Sequence, residues 1–212
     1  MDTSKQKAYW DKVAGYKNFT TPLSVELLKQ YLRPDSRILD FGCGQGRILQ
    51  QLKNEGFLNL SGVDISKNMI GISGKNLPGA DFRVNSGVTI PYNDSSFDCV
   101  IIAAVLTCII SSDEQRKLLA EIKRILVPEG LVYINDFLIN DDQRNISRYE
   151  EYEKKYGIYG VFEIEEGVTM RHHKLDWISE LTSSFTKLLF EEKMYTTMNG
   201  HVSEGFCFIG VK

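Results

Sequence analysis

The stretch ILDFGCGQGRI, residues 38–48, constrains the fold more than any other part of the chain. A nearly continuous apolar run leads straight into Gly42, Gly44 and Gly46, and Ile48, Leu49 and Leu52 then recur at helical spacing. A strand without apolar–polar alternation is covered on both faces, as in a parallel sheet held between helix layers. Glycines this dense permit positive φ and close approach of backbone to a ligand, and the free N–H groups of the next helix face the same point. The stretch reads as strand, ligand-holding turn and helix.

The rhythm continues along the chain. LSGVDI is a second strand, and Ser66 can cap a helix carrying Met69, Ile70 and Ile72. ADFRV and SFDCVIIAAV are a third and a fourth strand, a helix follows from Asp113 to Leu126, and the turn VPEG opens a fifth strand, GLVYINDF. Ahead of the first strand, residues 5–17 and 22–33 read as helices, the second capped by Thr21 with Pro22 at its first position. Strands alternating with helices of this length predict parallel pairing through right-handed crossovers. After Phe137 the rhythm breaks: residues 140–157 read as a charged, tyrosine-bearing helix and DWISELTSSF as a shorter one. TKLLFEEKMYTT and GFCFIGVK then form strands, with Asn199-Gly200 marking a hairpin between them.

The expected fold class is α/β, a doubly wound seven-stranded mixed sheet, mostly parallel, ending in a C-terminal antiparallel hairpin, with helices on both faces. The 212 residues suit one domain. Residues 1–21 would be its lid segment, and 138–174 an insert after the fifth strand, roofing the site.

Several classes of function are disfavoured. The 25 basic and 28 acidic residues leave a net charge of −3, so no nucleic-acid partner is expected. The opening MDTSKQKAYWDK lacks the apolar core of a secretory signal, and CVIIAAVLTCII is too short to span a bilayer. A cytoplasmic protein with no membrane partner is the expectation, monomeric or homodimeric. Cys43, Cys99, Cys108 and Cys207 are scattered without a CxxC pair, which fits neither a disulfide framework nor a metal site.

The glycine turn itself excludes one ligand more than another. In the dinucleotide pattern G-x-G-x-x-G the third glycine would stand at position 47, which is Arg47. Asp40, at the strand end, repels a pyrophosphate and suits a cationic group. Asp64 ends the second strand, where a carboxylate accepts both hydroxyls of a ribose; it points to a nucleoside without choosing which.

Taken together, ILDFGCGQGRI, GVDIS, IPYNDSSFDCVI and LAEIKRILVPEGLVYINDF resemble a class I S-adenosylmethionine-dependent methyltransferase across roughly residues 22–137. The resemblance implies S-adenosyl-L-methionine as cofactor. It implies that Asp40, Gly42, Cys43, Gly44 and Gly46 surround the methionine part and that Asp64 holds the ribose. Ile65 and Met69 would pack beside the adenine, Asn85, Ser86 and Gly87 would border its edge, and Ala103 would offer backbone to the ammonium. Tyr16 would line the cofactor site, as a tyrosine in a similar lead segment does in relatives. Many relatives carry aspartate where Ser86 stands; serine still accepts a hydrogen bond, and Asn85 is the alternative.

Methyl transfer needs an aligned nucleophile, a dry pocket and, for some acceptors, a base. Tyr9 and Trp10 in the lead segment and Tyr149 in the insert are the candidate acceptor-binding aromatics. Tyr149, Tyr152, Tyr156 and Tyr159 share one helical face if the helix persists. His172 and His173, in MRHHKLDW, are the candidate bases; adjacent residues on a strand point to opposite sides, so one of them would face the pocket. His201 reads as a surface residue. Asp136 alone makes no metal site, and Cys43 fits the turn by its size. The leading reading is transfer to nitrogen or oxygen of a small-molecule acceptor. The alternatives are an RNA or protein methyltransferase working with a partner, and a non-catalytic S-adenosylmethionine-binding regulator.

Overall fold

A computed structural model describes residues 3–17, 19–164, 167–198 and 200–212. At its centre lies β1 (Arg37–Phe41), paired in parallel with β2 (Asn59–Asp64) on one side and β4 (Phe97–Ala103) on the other. With β3 (Asp81–Val84), β5 (Leu126–Phe137), β8 (Thr186–Thr196) and β9 (Val202–Val211) these make a seven-stranded sheet in the order β3-β2-β1-β4-β5-β9-β8. In this sheet β9 alone runs opposite to the other six strands. This is the mixed, mostly parallel sheet expected from the strand–helix rhythm.

Period-two alternation explains why both faces are covered. Leu39, Val100, Ile102, Val132, Ile134, Phe206 and Phe208 join one buried cluster, with Leu118, Ile122 and Ile125 of α5 (Ser112–Ile125) and Ile178 of α7 (Leu175–Leu181). Ile38, Cys99, Ile101, Leu131, Tyr133, Cys207 and Ile209 join the other. There they meet Ile48, Leu49 and Leu52 of α3 (Arg47–Asn54) and Leu28 of α2 (Val25–Leu28). Neighbouring residues in one strand therefore feed opposite cores.

Local chemistry sets the helix ends. Ser66 caps α4 (Lys67–Asn76) through Met69 N–H, Ser111 caps α5 through Glu114 N–H, and Asp142 caps α6 (Gln143–Tyr156) through Asn145 N–H. α1 (Thr3–Val13) stops two residues before Gly15, whose φ is 86°. The helix expected over 22–33 is a single turn, α2, which starts after Ser24 instead of Thr21. Long-range bonds hold the preceding chain extended: Asn135 Nδ2 donates to Pro22 O at 2.6 Å and Ser24 N–H to Tyr133 Oη at 3.3 Å. The VPEG segment is a bulge inside β5, where pairing shifts from Phe97 with Leu126 to Cys99 with Leu131. The insert also holds an unforeseen hairpin, β6 (Val161–Glu163) and β7 (Thr169–Arg171). In the β8–β9 turn, Asn199 of the expected Asn-Gly pair lies outside the described residues. Among the described residues no helix is long and apolar enough to cross a membrane.

Candidate functional site

Strand order reverses between β1 and β4, so the carboxyl ends of these strands frame a crevice. A cavity of about 640 Å³ occupies it. The glycine turn forms its floor. Gly42 has φ 77°, and a Cβ there would lie 2.5 Å from Val105 Cγ2, across the crevice. Gly42 and Cys43 N–H both donate to Val63 O, which ties the turn to β2. Arg47 is the first residue of α3, its guanidinium bonded to Thr21 O.

Three polar groups in the floor still seek partners. Asp40, at 2 % exposure, lines the cavity, and its carboxylate accepts no hydrogen bond among the described residues. Burial pushes its carboxyl up to about 7; Arg47 pulls it down and Asp64 adds repulsion. Asp64 accepts from Gly44 N–H at 2.9 Å and Ser66 N–H at 2.8 Å, one per oxygen, leaving its other lone pairs free. Burial raises its pKa too, against those two bonds. Asn85 donates to Gly87 O at 2.6 Å, while its buried Oδ1 has no partner among the described residues. The floor can thus receive a cation at Asp40, hydroxyls at Asp64 and an N–H donor at Asn85.

The Asp40 arrangement has a measurable consequence. From about pH 4 to about pH 7 the folded protein keeps a proton that the unfolded chain has released, so the stability present below pH 4 falls as pH rises through that window. Burial holds Asp136 near 7 as well and acts in the same direction. Asp40→Asn is expected to flatten part of this slope and to stabilise the ligand-free protein at pH 8 by up to about 4 kcal/mol, with little change at pH 4. Urea unfolding at both pH values measures it, and a wild-type slope in the variant would place its source elsewhere.

The lead segment and the insert close the cavity. Asp11 Oδ1 accepts from Ser66 Oγ at 2.6 Å, docking α1 on the start of α4, and Gln6 Nε2 donates to Thr169 O at 2.7 Å, joining α1 to β7. Trp10 lines the cavity, whereas Tyr9 is buried edge-on to it at 4.8 Å, outside the lining. Tyr16 is a correction: it is 85 % exposed and does not reach the cavity, because the chain turns outward after α1. Tyr149 is fully buried behind the wall; its helix ends at Tyr156, so Tyr159 meets it from outside the helix, at 5.3 Å between rings.

The two histidines part company, as strand geometry requires. His173 is a correction to the pair of candidate bases. Its Nδ1 donates to Phe137 O at 3.1 Å, and its Nε2 lies 2.9 Å from Gln115 Nε2, an amide oriented by the Trp177 N–H on its oxygen. Burial drives it down to about 3, and it is absent from the lining: it ties the insert to β5 and α5. His172 lines the cavity, stacked on Phe137 at 5.4 Å and edge-on to Phe162 at 4.9 Å. Its Nδ1 meets Tyr149 Oη at 2.6 Å and Asn140 Nδ2 at 3.4 Å. Burial, with Arg148 and Arg144 nearby, pushes its pKa well below the usual range, so the ring is neutral.

Of the other expected residues, Gly42, Cys43, Ile65, Met69, Gly87 and Ala103 line the cavity, while Gly44, Gly46 and Ser86 are absent from the lining. Burial, with Asp40 and Asp64 nearby, raises the Cys43 thiol well above its ordinary range, so it is no nucleophile. Asp136 lies outside the lining, accepting from Thr107 N–H at 3.2 Å and Phe137 N–H at 2.8 Å. His201 is exposed and borders the cavity. The reading from sequence missed Phe137, Arg144, Arg148 and Phe162 in the lining. The i, i+4 spacing of the arginines was a visible signal for one helical face. Among the described residues no cluster of three or more His, Cys, Asp or Glu could hold a metal ion.

A family model described as a methyltransferase domain matches residues 39–134. A Geobacillus sp. (strain WCH70) protein described as a methyltransferase is 34% identical over 138 residues, covering 61% of this chain and 56% of that protein. The demethylmenaquinone methyltransferase of Thermotoga maritima is 29% identical over 121 residues, covering 57% and 51%. The chain thus spans about half the length of these relatives. Among solved structures, a SAM-dependent methyltransferase of Methanosarcina mazei superposes with a TM-score of 0.82 at 26% identity, covering 88% of this chain and 96% of that one.

Proposed function

We propose that the chain is a class I S-adenosylmethionine-dependent methyltransferase and that it transfers a methyl group from S-adenosylmethionine to nitrogen or oxygen of a small-molecule acceptor, a reading supported by the matched methyltransferase domain and the similar folds. The observation that carries this reading is a cavity whose floor holds three partner-seeking polar groups and whose other wall is made by the lead segment and the insert. The cofactor, when bound, supplies an electrophilic methyl group on a sulfonium. Asp40 would face its ammonium, Asp64 its ribose hydroxyls and Asn85, beside Ser86, its adenine edge. Ile65 and Met69 would flank the adenine, and Cys43, Gly44, Gly46 and Ala103 would leave room for the methionine part.

Residues 1–21 and 138–174 would act as lid and roof, keeping water from the reacting atoms. His172 is the group from the insert placed to meet the acceptor. With Tyr149 and Asn140 donating to Nδ1, the neutral ring carries its proton on Nε2 and orients an acceptor lone pair; removing a proton would require the other tautomer.

Thermal unfolding tests the cofactor assignment. S-adenosylmethionine and S-adenosylhomocysteine at 100 times Kd should stabilise by about 2.7 kcal/mol, a rise of roughly 5–10 °C, while NAD has no effect. Stabilisation by NAD alone would sink the assignment. A cofactor response with no methyl transfer across an acceptor panel would support the non-catalytic regulator. With an acceptor in hand, His172→Ala should lower kcat/KM by about 10²-fold, whereas His173→Ala should lower Tm and leave cofactor affinity alone. Full activity in His172→Ala would remove it from the site.

A further inference from the structure

Most arginines away from this cavity hold a carboxylate or lie against backbone. Arg37 bonds Asp98, Arg83 bonds Asp81, Arg116 bonds Glu180 and Arg124 bonds Glu121. Arg171 donates to Ile110 O and Ser112 Oγ. Arg148 lines the cavity, and no acid forms an ion pair with it among the described residues; its Nε is buried without a partner, as are those of Arg47 and Arg171, but these two place another N–H on backbone or a hydroxyl. Its Cζ sits 3.4 Å from the centre of the Phe162 ring, so the guanidinium plane is fixed and its N–H edge stays available. The neighbouring Tyr149 hydroxyl bonds His172 and also favours the charged form of Arg148, but it is neutral and does not balance that charge.

Arg144 lies one helical turn earlier and lines the same cavity. Among the described residues its one carboxylate partner is Asp142, 3.9 Å away, which already caps α6. Like charges at i, i+4 repel, and each depresses the charged form of His172. Glu163, another acid in the lining, is held by Tyr156 and Lys155. No ion pair joins Glu114, also in the lining, to either arginine among the described residues. A half-buried cation such as Arg148 favours a compensating partner, and with the exposed Arg144 on the same cavity the partner of fitting chemistry is an anion.

We propose that the acceptor carries an oxyanion, a carboxylate or phosphate monoester, held by Arg148 and Arg144 so that its reactive nitrogen or oxygen lies beside His172. This rests on the methyltransferase reading of the same cavity. A planar guanidinium meets either oxyanion through paired N–H bonds, which fix direction as well as position.

The test is anion binding to the whole protein, followed by thermal unfolding and calorimetry with S-adenosylhomocysteine present and ionic strength held constant with chloride. Inorganic phosphate and benzoate are the probes, and benzamide is the uncharged control. Saturable stabilisation by at least one anion and not by benzamide is expected, with at least tenfold weaker affinity in Arg148→Gln and in Arg144→Gln. Arg148→Lys should recover part of the loss, and each variant's shift with S-adenosylhomocysteine should match wild type. No saturable anion response, or one unchanged in both glutamine variants, would overturn the proposal while leaving the cofactor assignment standing. Absence of any shift with S-adenosylhomocysteine in the wild type would overturn the methyltransferase reading, and this proposal with it.

Discussion

Replacing Asp64 with alanine is expected to weaken S-adenosylhomocysteine binding by at least about 100-fold, measured by titration calorimetry. The carboxylate would accept two ribose hydroxyls, and hydrogen bonds to a charged acceptor contribute about 1.5–3 kcal/mol each. Its own position is fixed by Gly44 and Ser66 N–H, so it meets the ligand without rearrangement. The alanine variant also leaves these two amides unpartnered, and the ligand-free Tm should fall by a few degrees. Asp64→Asn separates the effects, since it keeps the shape and loses the charge; intermediate affinity with a near-normal Tm is the expected pattern. Affinity unchanged in both variants would show that the ribose is held elsewhere.

Gly42→Ala is expected to reduce stability by about 3 kcal/mol, roughly 6–12 °C in Tm, and to abolish measurable cofactor binding. A left-handed φ of 77° disfavours any Cβ by about 1–2 kcal/mol, and this Cβ would press to 2.5 Å on Val105 Cγ2. Relief would push the end of β4 away from β1 and open the floor. Gly56→Ala is the internal comparison: its φ is 92°, but nothing lies within 4 Å of the added atom. It should lose only the conformational share, about 1 kcal/mol, and keep cofactor affinity. Equal losses in the two variants would remove the steric contact with Val105 from the explanation.

Sequence was most informative where chemistry sits next to a strand end. Asp40, the glycines and Asp64 lie within a few residues of β1 or β2, so the sheet period and the turn chemistry locate them together. Side chains placed by distant partners were not legible in the same way. The extended run before α2 is set by Asn135 and Tyr133, over a hundred residues away, and local helix signals at Thr21 and Pro22 could not report it. His172 and His173 are adjacent, yet Gln115 and Phe137 claim one and Tyr149 and the cavity the other. Tyr16 failed for a local reason: the chain bends at Gly15, and aromatic character alone does not report the direction that follows.

The match to the family ends at residue 134, while His172, Arg144 and Arg148 all come later in the chain. The sheet's central pairings and the cofactor floor are complete before the first of them is reached. Under the proposed function, substitutions in α6 and the β6–β7 hairpin would alter acceptor preference while leaving the β1–β2 and β1–β4 pairings and the glycine turn in place. Exchanging residues 138–174 for the matching segment of another methyltransferase should then change acceptor choice and leave S-adenosylhomocysteine affinity as it was.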